Sequence, residues 1–368
     1  MFKQYQLRNY RFRLVIYVVL LTLLGIAIIG SAKHSVQKMQ IFGMCLGIFV
    51  MVVVSLIDYS FILKFNWLIY LADVGLLLMV ILFGDKSKGA TRWIDLGFFR
   101  FQPSELAKIL LILFFAYFLA KYHERLNTIQ ILGTSIVLAG VPLLLIYKQP
   151  DLSTTIVTAL IFIALLFIAG LSYKIIIGVL AVVIPAALVF ISLILQPDQK
   201  ILDHYQWLRI MGWLNPEKYS DTAYQQLNSI TAIGSGQLWG KGLNNTNVAS
   251  VKNGNFISEP QTDFIFAVAG EELGFVGSCL IILLLLAIVL ECLFIARKAK
   301  DLSGKLICCG VAAMLGFQGF VNICVVTGLM PNTGLTLPFV SYGLTSLVSC
   351  YIGIGLVLNV GLQPRKYG

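Results

Sequence analysis

The chain has 368 residues, of which 58% are hydrophobic and 12% are charged, and its mean hydropathy is +0.88. A soluble globule of this length needs more polar surface, so the composition predicts a polytopic membrane protein. The formal net charge of +10 suits anionic lipid headgroups or a diphosphate, and the apolar character argues against nucleic acid as a partner.

Ten apolar runs, each long enough for a membrane-spanning helix, are separated by charged or Pro- and Gly-rich joints. They cover approximately residues 14–31, 40–57, 66–84, 104–120, 130–147, 153–170, 174–196, 275–295, 306–328 and 344–361. The sequence therefore predicts an all-α polytopic membrane protein with about ten transmembrane helices. Residues 1–368 are expected to form a single membrane domain.

The basic residues of the short joints predict the orientation of the helices. They lie mostly on the side that holds both chain termini, so both termini are predicted to be cytoplasmic. Residues 197–262 then form a large extracytoplasmic loop between the seventh and eighth helices. A connection of that length is typical of a functional lid or a binding loop. The first run resembles a secretory signal, but nine runs follow it, which favours an uncleaved first helix.

The stretch EPQTDFIFAVAGEELGFVG, Glu259 to Gly277, joins this loop to the eighth predicted helix. The chain stays apolar for about 34 positions after Asp263, whereas one crossing needs only ~20. Its glycines therefore predict a break between a short interfacial helix and a spanning helix from about 275 to 295. Asp263 lies at the lip of the membrane, where a carboxylate can act as a general base. A plain N-cap role for this residue remains open.

A mixture of charges and aromatic residues, including Lys88 and Arg92, lies between the third and fourth runs. This segment is expected to lie in the outer interface as a short amphipathic element. Pro103 starts the fourth helix, and Glu105 and Lys108 follow at a spacing of three on one face. They are expected to pair inside the bundle, either as a tie between helices or as part of a substrate cavity.

Four predicted helices enter the membrane from the outer side behind a proline. The residues that mark these entries are Pro103 with Glu105, Pro150 with Asp151, Pro260 with Asp263, and Pro338. Helix N-termini carry partial positive charge and spare N–H groups. Together with Lys88, Arg92 and Lys108 they predict an outer site that favours a diphosphate.

Three further features carry weaker predictions. The stretch GSGQLWGKG lacks the spacing and the Ser/Thr of a nucleotide-binding loop, although a tight turn there could let Lys241 face a lipid phosphate. Residues 330–343 are apolar but broken by prolines and glycines, which predicts a re-entrant wall beside the site. Asp73 lies near the middle of the third run, where it is either functional or bonded to a neighbouring helix.

All seven cysteines lie inside apolar runs with no CxxC spacing, which favours packing thiols over a metal or redox site. No cluster of metal ligands is apparent in the sequence, and no metal site is predicted.

Several blocks of the sequence together resemble one known family, the SEDS (shape, elongation, division, sporulation) glycosyltransferases. The blocks are KGATRWIDLGFFRFQPSELAK, QPDLSTT, ITAIGSGQLWGKG, EPQTDFIFAVAGEELGFVG and MPNTGLTLPFVSYG, and they occur in the family's order. The ten apolar runs are similar to the family's ten-helix layout, and the first block looks more like the RodA elongation branch than the division branch. Asp73 and the stretch LNNTN depart from the family pattern.

The resemblance implies a peptidoglycan polymerase of the bacterial cytoplasmic membrane that uses lipid II at its outer face. Asp263 would be the catalytic base that deprotonates the 4-hydroxyl of the acceptor sugar, which then displaces the polyprenyl diphosphate with inversion. The candidate substrate-binding residues are Lys88, Arg92, Glu105, Lys108, Asp151 and Lys241. A divalent cation, Mg²⁺ or Mn²⁺, could assist at the diphosphate, and a class B penicillin-binding protein would be the partner.

Two other functions fit parts of the pattern. A transporter that flips the lipid-linked precursor would explain broken helices and intramembrane charges, and a non-catalytic scaffold would need no base. A transporter requires access from both faces, whereas the polar features here crowd the outer one.

Overall fold

The computed structural model describes residues 10–87, 90–95, 97, 99–196, 202, 204–244, 250, 254 and 256–363. Over these residues the chain is mainly helical, with short 3₁₀ turns at Leu63–Phe65 and His123–Arg125. The α-helices in chain order are α1 (Phe12–Ala32), α2 (His34–Leu56), α3 (Tyr59–Ile62), α4 (Asn66–Phe83), α5 (Pro103–Lys121), α6 (Ile129–Tyr147), α7 (Leu152–Ile168), α8 (Tyr173–Ile194), α9 (His204–Leu214), α10 (Ser220–Ser235), α11 (Ile265–Arg297), α12 (Leu302–Val326) and α13 (Leu344–Leu362).

The predicted apolar runs coincide with helices of the structure. Eight stretches of the described residues are long and apolar enough to cross a membrane, namely α1, α2, α3 with α4, α5, α6, α11, α12 and α13. Two shorter apolar segments, Leu152–Ile168 and Tyr173–Val183, correspond to the sixth and seventh predicted runs. The polytopic helical membrane fold predicted from the sequence is confirmed.

The centre of the bundle is built from α5, α12, α13 and the first half of α11, whose side chains are buried along most of their length. The outer helices α4 and α6 instead expose many large apolar side chains, as expected of helices that face lipid. The buried helices therefore carry the polar side chains that must find partners inside the protein.

The segment between α4 and α5 departs from the expected amphipathic element. It forms a three-stranded antiparallel sheet of β1 (Asp85–Ser87), β2 (Ala90–Asp95) and β3 (Arg100–Phe101), with β2 in the centre. Pairing satisfies backbone groups that the interface would leave exposed. The sheet is tied to the start of α13, where Thr345 Oγ1 donates to Arg100 O and accepts from Gln102 N, both at 3.3 Å.

The long loop between α8 and α11 contains α9 and α10, and α10 packs against the bundle. Gln226 Nε2 donates to the carbonyls of Val325 and Met330, both at 2.7 Å, and Ser229 Oγ donates to Val326 O at 2.7 Å. This loop therefore covers the end of α12 and the start of the 330–343 segment.

The break predicted in the eighth spanning helix is confirmed at Gly274 of α11, where φ is +65°. A break leaves backbone groups of the helix without partners. The loop after α10 supplies them through four bonds: Lys241 N to Glu271 O at 2.9 Å, Gly242 N to Glu272 O at 2.9 Å, Phe275 N to Gln237 O at 2.8 Å and Val276 N to Leu238 O at 3.2 Å. These hydrogen bonds hold the two parts of the broken helix in position, and we refer to residues 237–242 as the clamp.

A second polar network lies at the opposite end of α11. Asp58 Oδ1 accepts from Ser60 N at 2.9 Å and from Gln363 Nε2 at 3.1 Å, and Lys300 Nζ donates to Gln363 Oε1 at 2.5 Å. This network joins the α2–α3 and α11–α12 links to the end of α13.

Candidate active site

Asp263 lies in the turn that precedes α11, and it is half-buried. The N-cap position of α11 is Phe264, so the N-cap role that the sequence left open for Asp263 is not what the structure shows. Three consecutive carbonyls of the turn accept hydrogen bonds: Gln261 O from Tyr342 N at 2.9 Å, Thr262 O from Ser341 Oγ at 2.7 Å, and Asp263 O from Asn322 Nδ2 at 2.8 Å. Donors from two other elements therefore fix the backbone that carries this carboxylate.

The 330–343 segment lies directly against the Asp263 carboxylate. Gly334 has a φ of +75°, a conformation that favours glycine. A Cβ at Gly334 would lie 3.3 Å from Asp263 Oδ2 and 3.7 Å from Arg209 Nη1. Arg209 Nη1 also donates to Asn332 O at 3.3 Å. The segment is irregular, and Leu335, Leu337, Phe339 and Val340 within it are buried, in agreement with a wall beside the site.

Two amide side chains of α12 hold this wall in place. Gln318 Nε2 donates to Thr336 O and to Thr336 Oγ1, both at 3.1 Å, and Asn322 Nδ2 donates to Leu335 O at 2.6 Å in addition to Asp263 O. Both amides are 1% exposed, and their spacing of four places them on one helix face. Asn322 thus joins the wall to the turn that carries Asp263.

The predicted pairing of Glu105 with Lys108 is confirmed. Lys108 Nζ lies 3.1 Å from Glu105 Oε1 and donates to Gln318 Oε1 at 2.6 Å, and all three side chains are buried. Because an ammonium group only donates, the oxygen of the Gln318 amide must face Lys108 and its nitrogen must face Thr336. A hydrogen-bonded chain therefore runs from Glu105 through Lys108 and Gln318 to the wall.

Arg92 and Asp151 meet at the start of α7. Arg92 Nε lies 3.9 Å from Asp151 Oδ2, and its Nη2 donates to Pro150 O. Asp151 is the N-cap of α7 and accepts from Thr154 N at 3.2 Å. The next residue but one, Ser153, donates to Thr333 O, which brings the start of α7 to the wall.

The four helix N-termini predicted to converge do so around the 330–343 segment. The start of α7 contacts it through Ser153, the turn before α11 through Ser341, and α13 follows it directly. The start of α5 is joined to α13 by the bond between Gln102 N and Thr345 Oγ1. This geometry concentrates N–H groups and partial positive charge on one side of the bundle.

Lys241 is placed on the clamp, and its Nζ lies 2.7 Å from Glu271 Oε1. Glu271 is six residues into α11, about 9 Å along the axis from Ile265 at 1.5 Å per residue. Lys241 therefore pairs with an acid inside α11, nearly two turns beyond the start of that helix.

Lys88 and Asp73 are the remaining candidates from the sequence. Lys88 lies outside the described residues, and Asp73 is buried in α4 with neither carboxylate oxygen hydrogen-bonded within the described part of the chain. The same part contains no group of three or more His, Cys, Asp or Glu side chains that could hold a metal ion.

Sequence reasoning missed Arg209, Gln318 and Asn322. The two amides carried a signal, because polar residues four apart inside an apolar run mark one polar face of a buried helix. Arg209 carried none, since it is one cation among many polar residues of a long loop.

Comparison with known proteins gives consistent matches over the whole chain. The family of cell cycle proteins comprising FtsW, RodA and SpoVE matches residues 6–366. The chain is 34% identical to the probable peptidoglycan glycosyltransferase FtsW of Geobacter sulfurreducens, over 98% of this chain and 97% of that protein. It is 36% identical to the peptidoglycan glycosyltransferase MrdB of Escherichia coli, over 94% and 92% respectively.

Solved structures show the same architecture. A chain from a peptidoglycan synthase complex that coordinates polymerization and crosslinking superposes with a TM-score of 0.77 at 29% identity, covering 96% of this chain and 97% of that one. The rod shape determining protein RodA of Thermus thermophilus gives a TM-score of 0.68 at 28% identity, covering 96% of both chains.

Proposed function

This chain belongs to the FtsW, RodA and SpoVE family and is a peptidoglycan glycosyltransferase, and we propose that it polymerises lipid II with Asp263 as the general base. The observation that carries the proposal is the position of Asp263. Its backbone is held by donors from α12 and from the wall, and its carboxylate faces the wall at Gly334. A half-buried carboxylate at such an edge is suited to accept a proton from a bound hydroxyl.

The reaction is a single displacement. Asp263 removes the proton from the 4-hydroxyl of the acceptor sugar, and the resulting oxygen attacks the anomeric carbon of the donor chain. The bond from that carbon to the polyprenyl diphosphate breaks, and its electrons leave with the diphosphate, so the configuration at carbon inverts. A diphosphate leaves without being protonated, so one carboxylate suffices where glycoside hydrolysis uses two.

The hydrogen-bonded chain of Glu105, Lys108 and Gln318 contacts the wall at Thr336. In this proposal its role is to keep the wall in position while substrate binds, because all three side chains are buried and bonded to one another. Arg92 and Asp151 do the same at the start of α7, next to Thr333. A divalent cation, Mg²⁺ or Mn²⁺, would add positive charge at the diphosphate.

The protein is a membrane protein, and we place the site at the outer face of the cytoplasmic membrane with both termini inside. The excess of basic residues in the short joints supports this orientation. The similarity to a chain of a complex that coordinates polymerization and crosslinking supports a penicillin-binding partner. A class B transpeptidase and a role in cell elongation are the finer form of this proposal, with residues 1–368 as one membrane domain that includes the 197–262 loop.

Glycan synthesis from lipid II tests the proposal. Purified protein with its transpeptidase partner is incubated with lipid II, and glycan strands are resolved on a gel. Wild type and Asp221→Asn, an exposed carboxylate in the first turn of α10, are expected to make strands, and Asp263→Asn none. Strands from Asp263→Asn would refute the general base. No strands from wild type beside an active control enzyme would favour a flippase or a scaffold.

A further inference from the structure

The two peptide groups that flank Asp263 are each held by a side chain from a distant part of the sequence. Thr262 O, in the peptide before Asp263, accepts from Ser341 Oγ at 2.7 Å. Asp263 O, in the peptide after it, accepts from Asn322 Nδ2 at 2.8 Å. Peptide groups are planar, so the orientations of these two planes set φ and ψ of the residue between them, and with them the direction of its side chain.

Ser341 follows a tight turn whose backbone is strained. Val340 N donates to Leu337 O at 3.2 Å, which closes a turn with Pro338 and Phe339 at its centre. The proline ring fixes φ near −65° at the first central position, so the φ of +64° at Phe339 makes this a type II turn. Glycine is the usual residue at that second position, because a side chain there crowds the following carbonyl oxygen.

Three helices pack against this turn and hold it in its strained conformation. The buried ring of Phe339 meets Tyr351 of α13 edge-on, with 5.6 Å between the ring centroids. A Cβ at Gly25 of α1 would lie 2.7 Å from a backbone carbon of the turn, so glycine permits the close approach. On α2, the buried Gln40 donates from Nε2 to Ser341 O at 3.1 Å. Strain that the surrounding structure maintains in this way is typical of functional sites.

We propose that Ser341 is a positioning residue that aims the Asp263 carboxylate at the acceptor hydroxyl. Its own hydroxyl accepts from Leu337 N and donates to Thr262 O, both at 2.7 Å, so one group joins the strained turn to the peptide before the base. A general base acts only within hydrogen-bond reach of the proton, so a small rotation of this peptide lowers the rate. The inference rests on the proposed function, because it concerns how the proposed base is held.

Single-turnover kinetics on Ser341 variants test the inference. The rate of glycosidic-bond formation and the dissociation constant for lipid II are measured on the full chain with its transpeptidase partner, and the rate is expressed per lipid II binding site. We expect Ser341→Ala to lower the rate by about ten- to a hundredfold with an unchanged dissociation constant. Ser341→Thr keeps the hydroxyl and should recover most of the rate.

Ser135→Ala is the matched control. Ser135 is a buried serine of α6, and its hydroxyl donates to Ile131 O of the same helix at 2.7 Å. This variant loses an equivalent buried hydroxyl away from the wall, and it should react as wild type. Thermal unfolding of every variant verifies the fold.

Two substitutions at Phe339 test the strained turn. Phe339→Ala and Phe339→Gly both lose the ring that packs on Tyr351, but only glycine adopts a positive φ without steric cost. We therefore expect Phe339→Gly to retain a higher single-turnover rate than Phe339→Ala. Equal rates for the two would mean that this backbone conformation does not serve the site.

Hydrogen exchange gives a measurement that does not depend on activity. Amides exchange through local opening, so loss of the Ser341 hydroxyl should speed exchange in the peptide that covers residues 261–265. Mass spectrometry of Ser341→Ala, Ser341→Thr and Ser135→Ala compares this peptide among the variants. Only Ser341→Ala is expected to exchange faster than wild type.

A wild-type rate in Ser341→Ala, or a loss explained by weaker lipid II binding, would overturn the inference. So would an equal loss in a Ser341→Thr variant that unfolds at the wild-type temperature, or unchanged exchange at 261–265 in Ser341→Ala. Faster exchange there in a protein whose Asp263→Asn variant still makes strands would refute the general base and leave the Ser341 contact supported. An inactive Asp263→Asn with a Ser341-independent rate would refute only the present inference.

Discussion

The packing of the clamp against the broken helix predicts that alanine substitution at two glycines, only two positions apart, changes the stability of the protein very differently. Gly236 follows α10, and a Cβ there would lie 1.9 Å from Gly270 O and 2.9 Å from Gly270 C, both backbone atoms of α11. Gly234, in the last turn of α10, has nothing within 4 Å of such an atom. Alanine at 236 therefore forces the loop backbone away from the backbone of α11, whereas the methyl group of alanine at 234 meets no other atom.

The magnitude follows from the contacts that separation would disturb. Heavy atoms pack at about 3.5–4.0 Å, so the loop must move by more than about 1.5 Å. Overpacking of this kind costs about 1–3 kcal/mol. The four backbone hydrogen bonds between the loop and α11 are each worth about 0.5–1.5 kcal/mol. Gly236→Ala is thus expected to lower stability by about 3–9 kcal/mol, whereas Gly234→Ala should raise it by about 0.5–1 kcal/mol.

Thermal unfolding of the two variants in the same detergent, followed by intrinsic fluorescence, measures the difference. We expect Gly236→Ala to unfold well below wild type or to fail to assemble, and Gly234→Ala to unfold at or above wild type. Equal unfolding temperatures for the two variants would mean that the loop does not clamp the helix as described.

Three further predictions concern the wall, the buried pair and the network at the far end. Asn322→Leu removes the donor to two buried carbonyls and should cost about 2–6 kcal/mol in thermal unfolding, with strand synthesis falling even where the protein stays folded; full activity would contradict the positioning role. Glu105→Ala should cost about 3–5 kcal/mol because Lys108 stays buried without its counter-ion, and adding Lys108→Met should recover most of that loss; no recovery would contradict the pairing. Burial alone would raise the pKa of Asp58, but hydrogen bonds from neighbouring donors and the charge of Lys300 hold that pKa below its usual value. The depressed pKa stabilises the fold above the unfolded-state pKa, so the higher unfolding temperature of wild type over Asp58→Asn should begin to shrink as the pH falls below about 4 and should be lost as the pH passes the lower folded-state pKa; a gap that stays unchanged down to the lowest pH at which both variants fold would contradict this.

Part of the architecture follows from simple physical limits on the sequence. The apolar run after Asp263 is too long for one crossing, and its glycines mark the place where the helix breaks. Glu105 and Lys108 share a helix face and cannot remain unpaired in low dielectric, so their pairing was predictable. The prolines and glycines of 330–343 likewise required an irregular segment buried against protein.

Other features depend on contacts between distant parts of the chain. The clamp illustrates this, because the sequence shows that Gly240 and Lys241 form a turn but not that Glu271 and Glu272 supply the acceptors. The sheet at 85–101 was missed because its residues mix charges and aromatics without the alternation that marks a strand. Arg209 approaches Asp263 only through the folding of the long loop over the wall.

The most direct test of the central claim separates binding from chemistry in Asp263→Asn. The dissociation constant for lipid II and the single-turnover rate of glycosidic-bond formation are measured on the same preparation. Asp221→Asn is measured in parallel as the control. We predict a rate about 10² to 10⁴ lower than wild type, as for the loss of a general base, with lipid II bound at least as tightly. A rate within tenfold of wild type, or a loss explained entirely by weaker lipid II binding, would contradict the assignment of Asp263.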